Sequence, residues 1–364
     1  MPLSAFQPPE YSALLDEKRA IVENLLAPYS PPDPDVFESN REAYRMRAEF
    51  RLWHDGDDLD YVMYRRDDPK TPVPINKFPI ACESIQKLMP DLKRSLKGNA
   101  ILRQKLFQIE FLSTTTQDTL VTLIYHRKLD EEWLQSATIL AEKFRVQIIG
   151  RSRKQKVIVD REYVTESLNI NGVDFRYRQY EQAFTQPNAK VNIRMIEWAC
   201  ECASELDADL LELYCGNGNF TLPLSGYFDT VIATELAKAS IKAAKENLAE
   251  NSINNVHMIR LSAEEVTQAM NGVRQFRRLA QLPKALNDYA LNTVFVDPPR
   301  AGLDEATEKM VAGFDSIIYI SCNPETLAQN LASLCTTHEI KRFALFDQFP
   351  YTHHMECGVL LSKR

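Results

Sequence analysis

The sequence predicts an α/β protein with two domains, residues 1–183 and residues 184–364. The first observation is size, because 364 residues, of which 45% are apolar, favour two cores of moderate size over a single one. The second is that short apolar runs alternate with helical stretches from about Val191 onward, a pattern typical of a parallel sheet. The third is that the chain before about residue 180 shows strand pairs joined by turns instead.

Apolar runs with the length of buried strands define the second domain. The stretches between them suit βα units, so we expect parallel strands at Leu210–Tyr214, Val231–Glu235, Val256–Leu261, Thr293–Asp297, Ile317–Ser321 and Phe343–Asp347. A last run, GVLLSKR, follows after too few residues for a crossover helix and should pair antiparallel through a hairpin. The predicted sheet therefore has six parallel strands plus one antiparallel C-terminal strand.

The first domain shows a different pattern. A proline-rich entry, SPPDPDVF, precedes a strand pair joined by an Asp-Gly turn at Gly56, and the runs FQIEFLS and LVTLIYH follow. We interpret this part as a smaller mixed α/β domain dominated by antiparallel strands. The boundary is expected within Phe184–Asn192. Residues 271–290 resemble an insertion whose role the sequence does not indicate.

Bulk properties exclude several classes of protein. The N-terminus lacks a basic leader with an apolar run, and no uncharged stretch reaches the roughly 18 residues of a membrane span, which predicts a cytoplasmic protein without a membrane partner. The seven cysteines are never spaced as C-x-x-C, so neither a metal site nor an iron–sulfur cluster is expected. The net charge of −7 does not decide nucleic-acid binding, because a basic patch can act within an acidic whole.

A glycine-containing loop directly follows the first strand of the second domain. In CGNGNF, Gly216 and Gly218 allow the backbone to turn tightly and to approach a ligand closely. Glu235 closes the second strand, where a carboxylate can accept hydrogen bonds from ribose hydroxyls. Thr221 stands where a dinucleotide site would have its third glycine, so the pattern favours S-adenosylmethionine, with a dinucleotide or a plain turn as alternatives.

Three polar residues are predicted at one edge of the sheet. Ligands of open α/β sheets bind beyond the carboxyl ends of the strands, where Asp297, Cys322 and Glu356 should gather with the glycine loop. A thiolate at Cys322 can add to C6 of a uracil, and a carboxylate at Glu356 can remove the C5 proton after that carbon accepts a methyl group. Backbone N–H groups near Pro324 are expected to lower the pKa of Cys322.

Simpler alternatives exist for the same residues. A cysteine at a strand end is often part of the core, although the following Asn323-Pro324 pair favours an exposed turn. His353 or His354 could act as the base in place of the carboxylate, since imidazole titrates near neutral pH. The segment DPPR resembles a loop of amino-group methyltransferases, but Arg300 replaces the aromatic residue and points away from N-methylation.

Four segments carry a resemblance to a known family. LELYCGNGNF, VDPPRAGLD, ISCNPETL and FPYTHHMECGVLL are similar to the signature segments of the RNA uracil-5-methyltransferases, and the similarity covers essentially the whole chain. The resemblance implies a Rossmann-like S-adenosylmethionine methyltransferase domain preceded by an RNA-binding domain. It implies that Cys322 is the nucleophile and Glu356 the base. The residues it places against the cofactor are Gln186, Tyr214, Asn219, Glu235 and Asp297.

Within this family the chain resembles the branch that methylates uridine 54 in the T arm of tRNA, because the iron–sulfur cysteines of ribosomal-RNA members are absent from it. Other RNAs with a tRNA-like T loop, such as tmRNA, are further expected partners, and a monomer is expected. Methylation of ribosomal or another structured RNA, and a non-catalytic RNA-binding module, are the alternatives. The resemblance implies RNA contacts at Arg47, Arg51 and Phe107, and Arg300 is a further expected contact, although Phe107 could also be a core residue. The basic stretch at residues 143–156 is a further candidate.

Overall fold

The computed structural model describes residues 6–56, 58–65 and 67–364. The chain forms two compact units. The first consists of Asn40–Ser167 and Arg178–Ala189, with a short N-terminal segment that ends at Pro8. The second consists of Pro9–Ser39, Leu168–Tyr177 and Lys190–Arg364. The sequence predicted a single cut between residues 183 and 184, whereas the contacts place Pro9–Ser39 with the C-terminal residues.

Strands and helices alternate through much of the chain. The strands are β1 (Asp35–Phe37), β2 (Arg47–Asp55), β3 (Asp58–Tyr64), β4 (Pro72–Pro74), β5 (Leu106–Ser113), β6 (Thr119–Tyr125), β7 (Gln147–Ser152), β8 (Gln155–Ile158), β9 (Tyr163–Ile170), β10 (Val173–Tyr180), β11 (Asp209–Leu213), β12 (Thr230–Thr234), β13 (Val256–Ile259), β14 (Leu291–Val296), β15 (Ser316–Ser321), β16 (His338–Phe346) and β17 (Glu356–Lys363). The helices are α1 (Tyr11–Leu26), α2 (Glu83–Lys97), α3 (Ala100–Arg103), α4 (Glu131–Phe144), α5 (Ala189–Ala203), α6 (Thr221–Leu224), α7 (Lys238–Glu250), α8 (Ala263–Met270), α9 (Glu305–Val311) and α10 (Pro324–Leu334). The insertion at residues 271–290 contains two short 3-10 helices, Arg277–Gln281 and Leu286–Asp288.

The second unit contains an eight-stranded sheet with the order β1-β16-β17-β15-β14-β11-β12-β13. Strands β11 to β15 pair in parallel, and β17 lies antiparallel between β15 and β16. The predicted arrangement of six parallel strands plus one antiparallel C-terminal strand is confirmed. Strand β1 was not predicted, and it pairs in parallel with β16 at the sheet edge, with Phe37 opposite Phe346.

Burial explains why these strands appear as apolar runs in the sequence. Every residue of β11 and of β15 is buried, as expected for a parallel sheet covered on both faces. Gly358 in β17 leaves room for Trp198, since an added Cβ would lie 2.8 Å from the indole ring. At the sheet edge the ring of Phe37 stacks on Phe346 with 4.9 Å between centroids, which helps to fix β1 on the sheet.

The first unit contains a seven-stranded sheet with the order β4-β3-β2-β5-β6-β7-β8. Its neighbouring strands are antiparallel except for β6 and β7, which agrees with the predicted mainly antiparallel domain. The predicted hairpin joins β2 to β3, with Asp55 opposite Asp58 and Gly56 at a φ of 56°. Asp57, the other residue of that turn, lies outside the described residues. Strands β9 and β10 form a separate two-stranded hairpin.

The described ranges contain neither a candidate membrane span nor a candidate metal site. None of the helices there combines the length and apolar character needed to cross a membrane. The same residues contain no group of three or more His, Cys, Asp or Glu side chains placed to hold a metal ion. The cysteines are free thiols, most of them buried.

Candidate active site

The strand ends of the second unit bring the predicted catalytic residues together. Cys322 directly follows β15, and Glu356 is the first residue of β17, which lies antiparallel beside β15. Because Ser321 pairs with Cys357, the next positions outward on the two strands are Cys322 and Glu356. Asp297 directly follows β14, the other neighbour of β15. All three side chains therefore belong to one edge of the sheet.

The pKa values of all three groups are raised. Burial, followed by the charges of Glu356 and Asp297, raises the pKa of the Cys322 thiol to about 11. Burial, with a smaller contribution from Asp297, raises the pKa of Glu356 to about 8. Burial also raises the pKa of Asp297 to about 7. A backbone N–H group does lower the pKa of Cys322, as expected, but burial and two neighbouring carboxyl groups outweigh it, so the pKa is above its ordinary value.

Cys322 lies in a hydrogen-bonded turn. Its side chain is only partly buried, which contradicts the alternative that it is a core packing residue. The hydroxyl of Ser321 donates to the carbonyl oxygen of Asn323 at 3.0 Å and accepts from the Asn323 N–H at 3.2 Å. The Asn323 side chain caps α10 by accepting from the Glu325 N–H at 3.2 Å, with Pro324 in the first turn. These bonds fix the backbone on which the thiol stands.

The loop after β14 is tied to the same helix. The carbonyl oxygen of Arg300 accepts from Asn323 Nδ2 at 3.2 Å and from Thr326 Oγ1 at 3.3 Å. Gly302 has a φ of 77°, and an added Cβ would lie 2.7 Å from Asn330 Oδ1, so this turn requires glycine. The exposed Arg300 side chain lowers the pKa of the neighbouring thiol, but by less than the carboxyl groups raise it. One cation therefore acts on an otherwise acidic edge.

The glycine loop closes on the end of β12. The N–H of Gly216 donates to Glu235 Oε2 at 3.2 Å, and the N–H of Ala237 donates to Glu235 Oε1 at 2.6 Å. An added Cβ at Gly216 would meet nothing within 4 Å, so this part of the loop borders open space. At Gly218 an added Cβ would lie 2.6 Å from Leu222 Cδ1, so packing requires glycine there. A ligand can therefore approach the backbone closely at Gly216.

Tyr214 and Asn219 belong to the same loop. Tyr214 has a left-handed φ of 60°, which is costly for a tyrosine, and burial followed by Asp304 raises its pKa to about 12. The side-chain amides of Asn219 and Asn192 exchange hydrogen bonds of 2.8 and 2.9 Å. The hydroxyl of Tyr177 donates to the carbonyl oxygen of Asn219 at 3.1 Å. Both predicted cofactor residues are therefore held beside Gly216 and Gly218.

Glu212 in β11 was missed by the sequence analysis. It is 1% exposed, and its Oε2 has no hydrogen-bond partner among the described residues. Burial, with a contribution from Asp297, raises its pKa to about 8. The signal was present in LLELY, because an ionisable residue is uncommon in a strand buried on both faces.

The predicted RNA contacts Arg51 and Phe107 pack against each other in the first unit. The guanidinium of Arg51 lies 4.8 Å from the centroid of the Phe107 ring, and that ring stacks on His126 at 4.3 Å. Phe107 is only partly buried, so the alternative that it is a core residue is wrong. His126 was not predicted, although it directly follows the apolar run LVTLIY. A cation and two rings are typical of surfaces that stack on bases.

Two further predicted residues, Arg47 for RNA and Gln186 for the cofactor, lie outside the Arg51–Phe107 cluster. The Nη2 atom of Arg47 donates to the carbonyl oxygens of Glu181 at 3.2 Å and Ala183 at 3.1 Å. Burial lowers the pKa of this guanidinium, and its contact with RNA stays a prediction. Gln186 is half-buried in the segment Arg178–Ala189 of the first unit, and its contact with the cofactor also stays a prediction.

Two cations of the basic stretch at residues 143–156 neutralise a buried carboxylate. Glu181 is 5% exposed and accepts from Arg151 Nη2 at 2.6 Å and Thr122 Oγ1 at 3.2 Å, with Lys156 Nζ at 3.1 Å. Burial raises the pKa of Glu181, but Arg151 and Lys156 outweigh it, so the pKa is below its ordinary value. These two cations stabilise the first unit internally.

The chain is similar to known proteins over nearly its whole length. The sequence model of the tRNA (uracil-5-)-methyltransferase family matches residues 10–364. A tRNA/tmRNA (uracil-C(5))-methyltransferase of Vibrio parahaemolyticus serotype O3:K6 (strain RIMD 2210633) is 53% identical over 362 residues, which cover 98% of each chain. The protein of the same name from Pseudomonas aeruginosa (strain LESB58) is 54% identical over 361 residues, which cover 99% of each chain.

A solved structure has a similar fold. The crystal structure of Pyrococcus abyssi tRNA (uracil-54, C5)-methyltransferase in complex with S-adenosyl-L-homocysteine matches with a TM-score of 0.72. The match covers 96% of this chain and 83% of the archaeal one at 21% sequence identity. At this identity the likeness shows the fold alone, and it confirms the predicted fold class.

Proposed function

The chain belongs to the tRNA (uracil-5-)-methyltransferase family, and from this membership we propose that it methylates carbon 5 of uridine 54 in the T loop of tRNA. The methyl donor is S-adenosylmethionine, and the names of the relatives add tmRNA as a second substrate. The observation that carries the proposal is the position of Cys322 beside Glu356 at adjacent strand ends. Action on tRNA assigns the enzyme to the cytoplasm. One chain supplies both catalytic residues, so the mechanism requires only a monomer.

The glycine loop fits an adenosyl cofactor. The open space at Gly216 admits a ligand to the backbone, and the Glu235 carboxylate retains lone pairs for ribose hydroxyls beyond its two backbone contacts. When bound, the cofactor supplies an electrophilic methyl group on a sulfonium. Further cofactor contacts are assigned to Tyr214, Gly218, Asn219, Asp297 and, from the resemblance alone, Gln186.

Covalent catalysis by Cys322 makes the target carbon reactive. Carbon 5 of uracil is a poor nucleophile, but addition of the Cys322 thiolate to C6 moves the C5–C6 electron pair into the ring as an enolate. The C5 atom then takes the methyl group. Glu356 removes the remaining C5 proton, the C5–H electron pair re-forms the double bond, and the bond from C6 to sulfur breaks. The thiolate of Cys322 is regenerated, and the proton stays on Glu356 until solvent removes it.

The electrostatics of the edge suit this division of roles. A carboxyl group with a pKa of about 8 is a stronger base than an ordinary glutamate once it has lost its proton. Burial and the adjacent carboxyl groups keep Cys322 as a thiol at neutral pH, so the nucleophile is formed only in a small fraction of resting molecules. Glu356 is favoured over His353 and His354 as the base because it raises the pKa of the thiol directly and is therefore close to it.

Access to the target base requires that it leave the folded T loop. A C5 atom inside a structured loop is not accessible to a thiol, so the uridine must be splayed out. We assign Arg51 and Phe107 to the stacking surface that receives the RNA and Arg300 to the strand-end loop that meets it beside Cys322. We assign Arg47 a weaker contact with the RNA, because its guanidinium already donates to two carbonyl oxygens.

Trapping of the covalent adduct tests the proposal. Glu356→Gln lacks the base but keeps the thiol, so it is expected to accumulate an RNA–protein adduct that survives denaturing electrophoresis. The substrate is a T-arm hairpin with uridine at position 54, and the control RNA has cytidine there. Cys322→Ala is expected to form no adduct and to bind cofactor normally, whereas Cys335→Ala, at another partly buried free thiol, keeps full activity. Normal turnover by Glu356→Gln would remove that residue from the mechanism.

A further inference from the structure

The loop between β16 and β17 delivers Glu356 to the active-site edge. It begins at Asp347, which is 1% exposed, and ends at Met355, directly before the base. Tyr351 in its middle has a left-handed φ of 60°. A loop with this backbone strain keeps its shape only when surrounding contacts define it strongly.

Lys18 of α1 supplies such contacts. Its side chain is 7% exposed, and its ammonium group forms an ion pair with Asp347 at the start of the loop. The same nitrogen donates to the carbonyl oxygen of Phe349 at 3.3 Å and to that of His354 at 3.1 Å. An ammonium has three donors, and these three partners use them all. One side chain therefore joins both ends of the loop, the second of them two positions before Glu356.

Helix α1 is itself fixed against the same loop. Lys18 lies on its buried face together with Tyr11, Leu15, Val22 and Leu26. The Tyr11 ring meets Tyr351 edge-on at 5.9 Å between centroids, and the Tyr11 hydroxyl accepts from the Ser39 N–H at 2.8 Å. Burial, followed by the charge of Asp347, raises the pKa of Tyr11, which places its hydroxyl close to that carboxylate.

Stability alone does not account for a lysine at this position. The other buried residues of the helix face are Tyr and aliphatic side chains, and a buried ion pair is often no more stabilising than apolar residues of similar volume. What an apolar residue would lose is directional bonding to two backbone carbonyl groups of one loop. The geometry therefore connects Lys18 to the conformation of the loop.

We propose that Lys18 is a positioning residue for the methyl-transfer reaction, which holds the Asp347–Met355 loop so that Glu356 faces the adduct formed at Cys322. This inference rests on the proposed function, in which Glu356 is the base. It predicts that loss of Lys18 slows proton removal and release of the product while leaving cofactor binding and thiol addition intact.

The decisive variant is Lys18→Met combined with Asp347→Asn. Methionine keeps the apolar stem, and asparagine removes the buried charge that the single variant would leave unpaired. The control is Arg19→Met, because Arg19 pairs with Glu23 on the exposed side of the same helix. The measurements are melting temperature, cofactor affinity, and the rates of adduct formation and decay in a single turnover with the uridine-54 hairpin.

The double variant is expected to melt within about 3 °C of the parent protein, to bind cofactor with the same affinity, and to form the adduct at the parent rate. Its adduct is expected to decay about 10–100-fold more slowly, because a displacement of the base by about 1 Å can cost that much. Adduct decay within about twofold of the Arg19→Met control, or a matching loss of stability and cofactor affinity, would overturn the proposal. A Glu356→Gln protein without adduct would instead refute the underlying mechanism, whatever Lys18 does.

Discussion

Two buried carboxylates, Glu181 in the first unit and Glu356 in the second, have opposite electrostatic surroundings. Both are at most 5% exposed. Arg151 and Lys156 bring the pKa of Glu181 below its ordinary value despite burial, whereas burial and Asp297 raise the pKa of Glu356 to about 8. The first carboxylate is compensated by cations, and the second is left beside other acids.

The difference shows where protonation can change near neutral pH. A carboxylate paired with two cations stays ionised and holds structure, while a buried one among acids can gain or lose a proton during a reaction. Glu166 limits this rule: burial raises its pKa to about 7, yet its oxygens accept from Thr115 and Ser167 within the first unit. A raised pKa therefore indicates a reactive site only where several such groups converge, as they do around Cys322.

The largest expected effect concerns the pH dependence of methylation. The pKa of Cys322 is about 11 and that of Glu356 about 8, so both groups are mostly protonated at pH 7. Raising the pH from about 6.5 to 8.5 increases the Cys322 thiolate about 100-fold, and kcat/KM is expected to rise by about the same factor, because methyl transfer precedes proton removal by Glu356. Steady-state rates with the T-arm hairpin measure this, and RNA binding by Cys322→Ala controls for changes in affinity. A kcat/KM that did not change with pH would contradict the comparison between Glu181 and Glu356, because the raised pKa values at the active site would then not control the rate.

A smaller effect, on the free energy of unfolding, is expected when Glu181 loses one of the cations that neutralise it. Arg151→Met removes one of the two cations beside Glu181 and leaves Lys156 and the Thr122 hydroxyl. It is expected to lower the free energy of unfolding by about 2 kcal/mol, less than for a fully buried pair because the Arg151 side chain is 24% exposed. Urea unfolding measures the loss. Arg153→Met, an exposed cation in the adjoining turn, is the control and should change stability by no more than about 0.5 kcal/mol. Adding Glu181→Gln should restore part of the loss, and equal effects of both arginine variants would contradict the pairing.

The smallest expected effect is on the pH dependence of stability without cofactor. The pKa of Glu212 is about 8 in the folded protein, so between its ordinary range and pH 8 the folded state binds more protons than the unfolded state. Stability from this group is therefore present at low pH and is lost as the pH rises through 8. Glu212→Gln is expected to reduce the fall in melting temperature between about pH 7 and pH 9 by about 1–2 °C, which corresponds to about 1 kcal/mol for a chain of this length.

The matched control for this measurement is Glu166→Gln in the first unit. The pKa of Glu166 is about 7, so its contribution to stability should also fall with rising pH, but at somewhat lower pH than that of Glu212. If the melting temperature of Glu212→Gln fell with rising pH as steeply as that of the parent protein, groups other than Glu212 would cause the pH dependence.

The sequence predicted the sheet of the second unit well, because its strands are buried on both faces and stand out as apolar runs. The run Ile317–Ser321 lies within β15, and Val256–Leu261 starts with β13. Strand β1 was missed, since three residues after a proline-rich segment carry no periodicity and its partner β16 lies far along the chain.

The pKa values of the site residues were predicted less well than the identity of those residues. The position of Cys322 and Glu356 follows from strand order, but the pKa of the thiol depends on burial and on charges from two other segments, which no local pattern contains. Lys18 was predictable from the sequence in part. Its spacing from Leu15 and Val22 placed it on an apolar helix face, which was a readable signal, but its partner Asp347 is 329 residues away.

The parallel pairing of β1 with β16 has a consequence for synthesis on the ribosome. Phe37 leaves the exit tunnel long before Phe346, and at about 5–20 residues per second the intervening ~300 residues take roughly 15–60 seconds to make. During that time β16, the strand with which β1 pairs, has not been made, and the proline-rich approach SPPDPD disfavours pairing of β1 with other chains. A translated fragment that begins at residue 184 would lack this strand and leave the edge of β16 open to aggregation.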